Sequence, residues 1–217
     1  MGLLRRRRFM GRHEKLPYDA EVEYVESSAD EWTYIDTEYV PTGLDNEWSF
    51  EFMPIKHYAI AGTQLTFIHI ISAWDGDSNH GCYRIMSEGT DFSYLYVYNG
   101  TKPGINATRT GFRSIKYNTR YSFEVYNNHV TLLPNGTTVT YTPAYDGNTD
   151  SLKIFGYQHY KKWMHGRVYH LKWWKAGELV LDLIPVRKGH SAYLYDRVSR
   201  RLLEPTKGKL IAGPDVK

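Results

Sequence analysis

The chain has 217 residues, 41% of them hydrophobic and 24% charged, which fits one large domain with a real core and excludes wholesale disorder. Its one cysteine, Cys82, excludes a disulfide framework and a multi-cysteine zinc site, and no apolar run approaches the roughly 20 residues that a membrane-crossing helix needs. The net charge of +3 is unevenly placed: residues 1–15 carry +5 and the rest of the chain −2.

That basic excess sits in Arg5, Arg6, Arg7, Arg8, Arg12 and Lys15, opposed by Glu14 alone. Only Phe9 and Met10 follow the arginine run, so a secretory signal is not expected. Arg6 stands where myristoylation needs Ser or Thr. The segment reads either as a solvated leader or as an arm that orders against an acidic surface. Pro17 closes it, giving an arm over 1–17 and a body over 18–217.

Period-two alternation begins after Pro17. Residues 21–25 place Val22 and Tyr24 on one face, and residues 47–53 group Trp48, Phe50 and Phe52 against Glu47, Ser49 and Glu51. Residues 65–71 (LTFIHII) read as a strand buried on both faces. Residues 91–98 and 120–126 alternate in part. Turn signals fall at Pro41–Gly43, Asn99-Gly100, Pro103-Gly104, Asn135-Gly136 and Asp146–Asn148. Residues 130–141 form one predicted hairpin, and residues 165–186 another that turns at Ala176-Gly177. No ten-residue segment shows helical periodicity; a short helical turn is predicted near Ala192–Arg197. Aromatics make up 15% of the chain, and 19 of them are tyrosines, which favour half-buried strand positions. Roughly a dozen short strands predict an all-β, two-sheet jelly-roll sandwich.

Several residue groups have chemical potential. Glu21, Glu23 and Glu26 loosely resemble the Glu-x-Asp-x-x-Glu strand of jelly-roll glucanases, where one acid protonates and another attacks. Glu23 replaces the Asp, and an edge strand whose charges block sheet association is the expectation here. Asp75, Asp77 and Asn79 alternate as calcium ligands would, but His80 and Met86 stand where a calcium loop has Gly and Glu; a polar turn is the competing reading. The nine histidines show no zinc spacing and read as surface or turn residues, with His165 and His170 on opposite strand faces. Cys82 reads as a buried, inert thiol. Asn99, Asn106 and Asn135 begin Asn-x-Ser/Thr triplets that read as turn chemistry. Tyr157, Tyr160, Trp163 and Trp174, among Lys161, Lys162, Lys172 and Lys175, form a candidate platform for glycans or a partner. Alternation assigns Tyr169, Leu171 and Trp173 to the core, and His170 and Trp174 to the other face.

Two stretches resemble a known module. Val25-Glu26-Ser27-Ser28 with Tyr34-Ile35-Asp36-Thr37 is similar to an opening of the form YIESTGTQYIDTG. Leu179–Arg187, Tyr193–Ser199 and Ile211–Pro214 are similar to a closing of the form LVRDLIPVRK, GLYDKVSGKFF and AGP. These belong to laminin-G-like, concanavalin-A-like jelly-roll modules of tailed-bacteriophage virion proteins. The resemblance frames residues 22–217 and departs at Ser28-Ala29-Asp30 and at Ser191-Ala192. It implies no catalytic signature. It implies structural roles instead: Asp182 and Pro185 ending a strand, Tyr195 and Asp196 in a closing turn.

The resulting expectation is a non-enzymatic virion protein, a capsid decoration, head fibre or tail-associated component. Its arm would bind other virion proteins, and its body would be displayed in several copies or as a homo-oligomer. A lectin-like module for host surface glycans is the alternative, and a jelly-roll glycosidase the third reading. No cofactor beyond the candidate calcium, no membrane and no nucleic-acid partner is expected of the acidic body.

Overall fold

The computed structural model describes residues 16–43, 45–59, 67–73, 82–88, 94–101, 108–113, 115–126, 129–134, 136–140, 148–157 and 162–217. Among them are eighteen strands and no helix. In chain order these are β1 (Ala20–Glu21), β2 (Val25–Ser27), β3 (Ile35–Asp36), β4 (Asn46–Ala59), β5 (Phe67–Ala73), β6 (Cys82–Glu88), β7 (Tyr94–Thr101), β8 (Thr108–Arg113) and β9 (Tyr121–Tyr126). There follow β10 (His129–Leu133), β11 (Thr137–Thr140), β12 (Lys153–Ile154), β13 (Gly156–Tyr157), β14 (Lys162–Lys175), β15 (Glu178–Lys188), β16 (Ser191–Asp196), β17 (Arg201–Leu203) and β18 (Leu210–Ala212).

These strands make two antiparallel sheets. The larger has twelve strands, with β11-β10-β9-β4-β14-β15-β16-β17 in line and β1, β2, β13 and β18 attached to it. The smaller runs β3-β12-β5-β6-β7-β8. Strand register explains how one core serves both. In the large sheet Val125, Trp48, Trp173 and Leu181 line up across four strands, as do Phe123, Phe50, Leu171 and Leu183, and all eight are buried. In the small sheet Ile35, Ile154, Ile71, Ile85 and Val97 form one buried row across five strands. The rows belong to one cluster, and Tyr83 of the small sheet meets Trp173 of the large one edge-on at 5.7 Å. Trp48 and Trp173 stack at 5.4 Å. Burying each such side chain contributes about 1.5–3 kcal/mol, so these rows decide which face of each strand turns inward. The chain crosses between the sheets at Phe155, whose φ of 72° lets β12 pair in one sheet and β13 in the other.

The two predicted hairpins are present, and the 165–186 hairpin turns at Ala176 and Gly177, both at positive φ as a two-residue turn requires. β5 is buried on both faces over His69–Ala73, which also makes His69 a core histidine and not a surface one. Other expectations need correction. Asn99-Gly100 is no hairpin turn: both residues lie inside β7, and the register skips Gly100 between Tyr83 and Cys82, so the glycine marks a β-bulge. Ala192–Arg197 is not helical. Ala192 and Leu194 point inward with strand spacing in β16, which pairs with β15 and β17. Asp182 and Pro185 lie within β15 and do not end it; Pro185 falls beyond Leu183, the last β15 residue paired with β14, so its missing N–H costs that ladder nothing.

The segment carrying Glu21, in β1, and Glu23, between β1 and β2, is not an edge. β1 pairs with β15 and β2 with β14 on one side; the C-terminal segment lies on the other, through the Val22–Asp215 bridge and β18. The physical reason is that β14 and β15 pair only from Leu171 to Lys175, and residues 20–27 fill the gap where they diverge.

Candidate functional site

The solvent-facing side of the large sheet gathers the polar and aromatic side chains that the core rows leave outward. A bulge in β14 sets this face. Val168 stands opposite Phe52 and His170 opposite Glu51, so Tyr169 is the extra residue. Met164, Gly166 and Val168 point inward before it, Leu171 and Trp173 after it. Tyr169 and His170 therefore both face outward. This corrects two expectations: Tyr169 is not a core residue, and His165 and His170 share a face.

Around Tyr169 the side chains form a ladder across the strands. The Arg167 guanidinium lies 4.2 Å from the Tyr24 ring centre, Tyr24 meets Tyr169 edge-on at 5.6 Å, and the Arg120 guanidinium covers Tyr169 at 3.9 Å. Carboxylates fix both ends. Arg120 donates to Glu51 at 2.6 Å, and Arg167 donates to Glu26 at 2.6 Å. Glu26 also contacts His165 Nε2 at 2.9 Å. The hydrogen bond to Glu51 raises the Arg120 pKa. Burial raises that of Tyr169, and the two arginines pull against it.

The putting-together of Glu21 with its neighbours is equally specific. Glu21 accepts from Tyr18 Oη at 3.1 Å and from Arg197 at 3.4 Å. Burial and this hydrogen bond raise the Tyr18 pKa. His170 Nε2 sits 2.8 Å from Asp182 Oδ1, and Arg197 stands 3.9 Å from the other oxygen of Asp182. Two open grooves meet at His170. One, of about 450 Å³, is bordered by Glu21, Glu23, Arg120, Tyr169 and Arg197. The other, of about 590 Å³, is bordered by Glu47, Ser49, Glu124, Tyr126, Lys172 and Trp174. Strand pairing builds the second: Glu124, Ser49, Lys172 and Asp182 stand side by side across β9, β4, β14 and β15, and Glu47 stands opposite Trp174.

Of the predicted platform, Trp174 is half-buried on this face. Tyr157 and Trp163 belong to the paired strands β13 and β14, with side chains outside the description, and Tyr160 lies outside the described residues. Asp75, Asp77 and Asn79, and the arm residues Arg5, Arg6, Arg7, Arg8, Arg12 and Lys15, also lie outside the described residues. Among the described residues no group of three or more His, Cys, Asp or Glu is arranged to hold a metal ion. The ladder was not legible in the sequence, because the β14 bulge turns Tyr169 outward; alternation did place His170 outward, and its Asp182 partner follows from the β14–β15 register. The alternation of Glu47, Ser49 and Glu51 against Trp48, Phe50 and Phe52 was the one signal for the groove. Compared with known proteins, the chain matches no family model, no curated protein and no solved structure.

Proposed function

We propose that this is a non-enzymatic structural and adhesion protein of a bacteriophage particle, a jelly roll of the laminin-G-like type carried on a basic arm. One observation carries the reading: the +5 segment leads into a strand that is paired on both sides, not into a loose edge. Load on such an arm passes into the large sheet through β15, β14 and the C-terminal segment together. The arm orders against an acidic neighbour in the particle, which recovers charge attraction at the moment of docking. The slightly acidic body then stays outward and presents the groove face of the large sheet.

Carboxylate use supports the non-enzymatic reading. Of the glucanase-like acids, Glu21 is paired with Arg197 and Glu26 with Arg167, which leaves Glu23 without the second free acid that a glycosidase's pair needs. The lectin-like alternative is favoured by the outward Trp174 and Tyr126, and it is compatible with particle attachment.

Full-length chain and a chain lacking residues 1–15 are to be expressed during particle assembly. The full chain is expected to co-purify with particles, and the shortened chain to fold with unchanged thermal stability but remain unattached. Attachment of the shortened chain at the wild-type level would overturn the proposal.

A further inference from the structure

We infer that the groove between β9, β4 and β14 binds a neutral, hydroxyl-rich oligosaccharide and rejects acidic ones. This rests on the outward display proposed above. Aromatic surface comes first. Tyr126 is 60% exposed, and neither it nor Trp174 stacks on another ring among the described residues. Their faces offer flat apolar surface, such as the C–H face of a pyranose covers, while the ring edges stay polar.

Acceptors lie beside those rings. Glu47 stands opposite Trp174, and Glu124 flanks Ser49 in the next row. A carboxylate accepts from two adjacent hydroxyls at once, and such charge-assisted bonds are about twice as strong as neutral ones. Lys172 supplies donors from the same row, and His170 closes the groove with its Nε2 fixed on Asp182, so its Nδ1 is the ring nitrogen left to meet a ligand.

Charge then selects among sugars. Glu51 is paired with Arg120 and Glu21 with Arg197, and Arg197 also stands 3.9 Å from Asp182. On the border of the proposed groove Glu47 and Glu124 enter no ion pair among the described residues, and Lys172 is the one lysine there to oppose them. This acidic surplus repels carboxylate and phosphate groups, in uronic acids as in nucleic acids, and leaves hydroxyl-rich neutral chains as the complementary ligand. The volume, about 590 Å³, lies in the range of small-molecule sites, and the opening toward the second groove at His170 lets a chain continue.

The test uses the full chain and a panel of neutral oligosaccharides of differing linkage, each paired with its C6-oxidised, uronic-acid counterpart. At least one neutral member is expected to bind, with its oxidised partner weaker by about tenfold or more, a difference of 1.4 kcal/mol. Trp174→Ala and, separately, the exposed Tyr126→Ala are each expected to weaken binding by about tenfold at unchanged melting temperature. Glu47→Gln is expected to narrow the gap between neutral and oxidised partners. Preference for the oxidised members, no binding by any neutral member, or full binding by both aromatic variants would overturn the inference. Such a failure, with arm-dependent particle attachment intact, would strike the ligand and leave the arm proposal standing.

Discussion

Asn46 bridges Trp173 of the large sheet and Tyr83 of the small one, and replacing it tests how the two sheets are locked together. It is 3% exposed. Its Oδ1 accepts from the Trp173 indole at 2.9 Å, and its Nδ2 donates toward Gly43 O at 2.9 Å, Tyr83 Oη at 3.0 Å and Thr42 O at 3.1 Å. The amide has two N–H groups for those three acceptors, so it makes about three good bonds in all. Asn46→Ala removes the two bonds its Nδ2 donates, at about 1 kcal/mol each, and leaves the buried Trp173 N–H without its acceptor, at about 1–3 kcal/mol. A loss of roughly 3–5 kcal/mol is expected, a large part of a total stability of about 5–15 kcal/mol. Asn46→Asp keeps the acceptor but points a buried charge at carbonyl oxygens, so it is expected to cost at least as much. Urea unfolding measures this, with a lowered midpoint and an unchanged m-value. A double-mutant cycle with Trp173→Phe isolates the indole bond. A loss below about 1 kcal/mol, or strict additivity in the cycle, would refute this account of the lock.

Three further outcomes are expected. Asp196, 4% exposed, accepts from the backbone N–H of Asp182, Val198 and Ser199 and from the Ser199 hydroxyl, so Asp196→Ala should cost about 2–4 kcal/mol in thermal unfolding, and Asp196→Asn less. Gly208 has φ of 75°, and an added Cβ would lie 2.3 Å from Thr33 Oγ1 and 2.8 Å from Trp32 O; Gly208→Ala should raise hydrogen exchange across β18 before the rest of the sheet. Burial pushes the Tyr39 phenol up to about 12, and its hydroxyl has no hydrogen-bond partner among the described residues. Because the folded value lies above the unfolded one of about 10, Tyr39 contributes full stability below pH 10 and loses roughly 2–3 kcal/mol as pH rises from 10 to 12. Tyr39→Phe should flatten that alkaline decline in a pH series of melting curves; an identical decline would contradict it.

Period-two alternation made the core legible in advance. Trp48, Phe50 and Phe52 face inward because nothing interrupts β4 between them, and Ala176-Gly177 turns because Gly177 takes its positive φ at no steric cost. What the sequence hid was register. One extra residue at Tyr169 reverses the faces of everything beyond it in β14, and no local preference marks tyrosine as a bulge. Gly100 carried the opposite ambiguity, since an Asn-Gly pair suits a tight turn and a bulged strand alike. The placement of Glu21 and Glu23 depended on where β14 and β15 part, a tertiary feature. The same holds for Ala192–Arg197, where pairing with β15 and β17 overrides local helix preference.

The central claim is a polarity: arm toward the particle, groove face toward solvent. Single cysteines introduced by Arg8→Cys and by Lys172→Cys, each in a Cys82→Ser background, report it through maleimide labelling of assembled particles against free protein. The account predicts that the cysteine introduced at position 172 labels equally fast in both and that the one at position 8 is protected on particles. Protection at position 172 with free labelling at position 8 would contradict it.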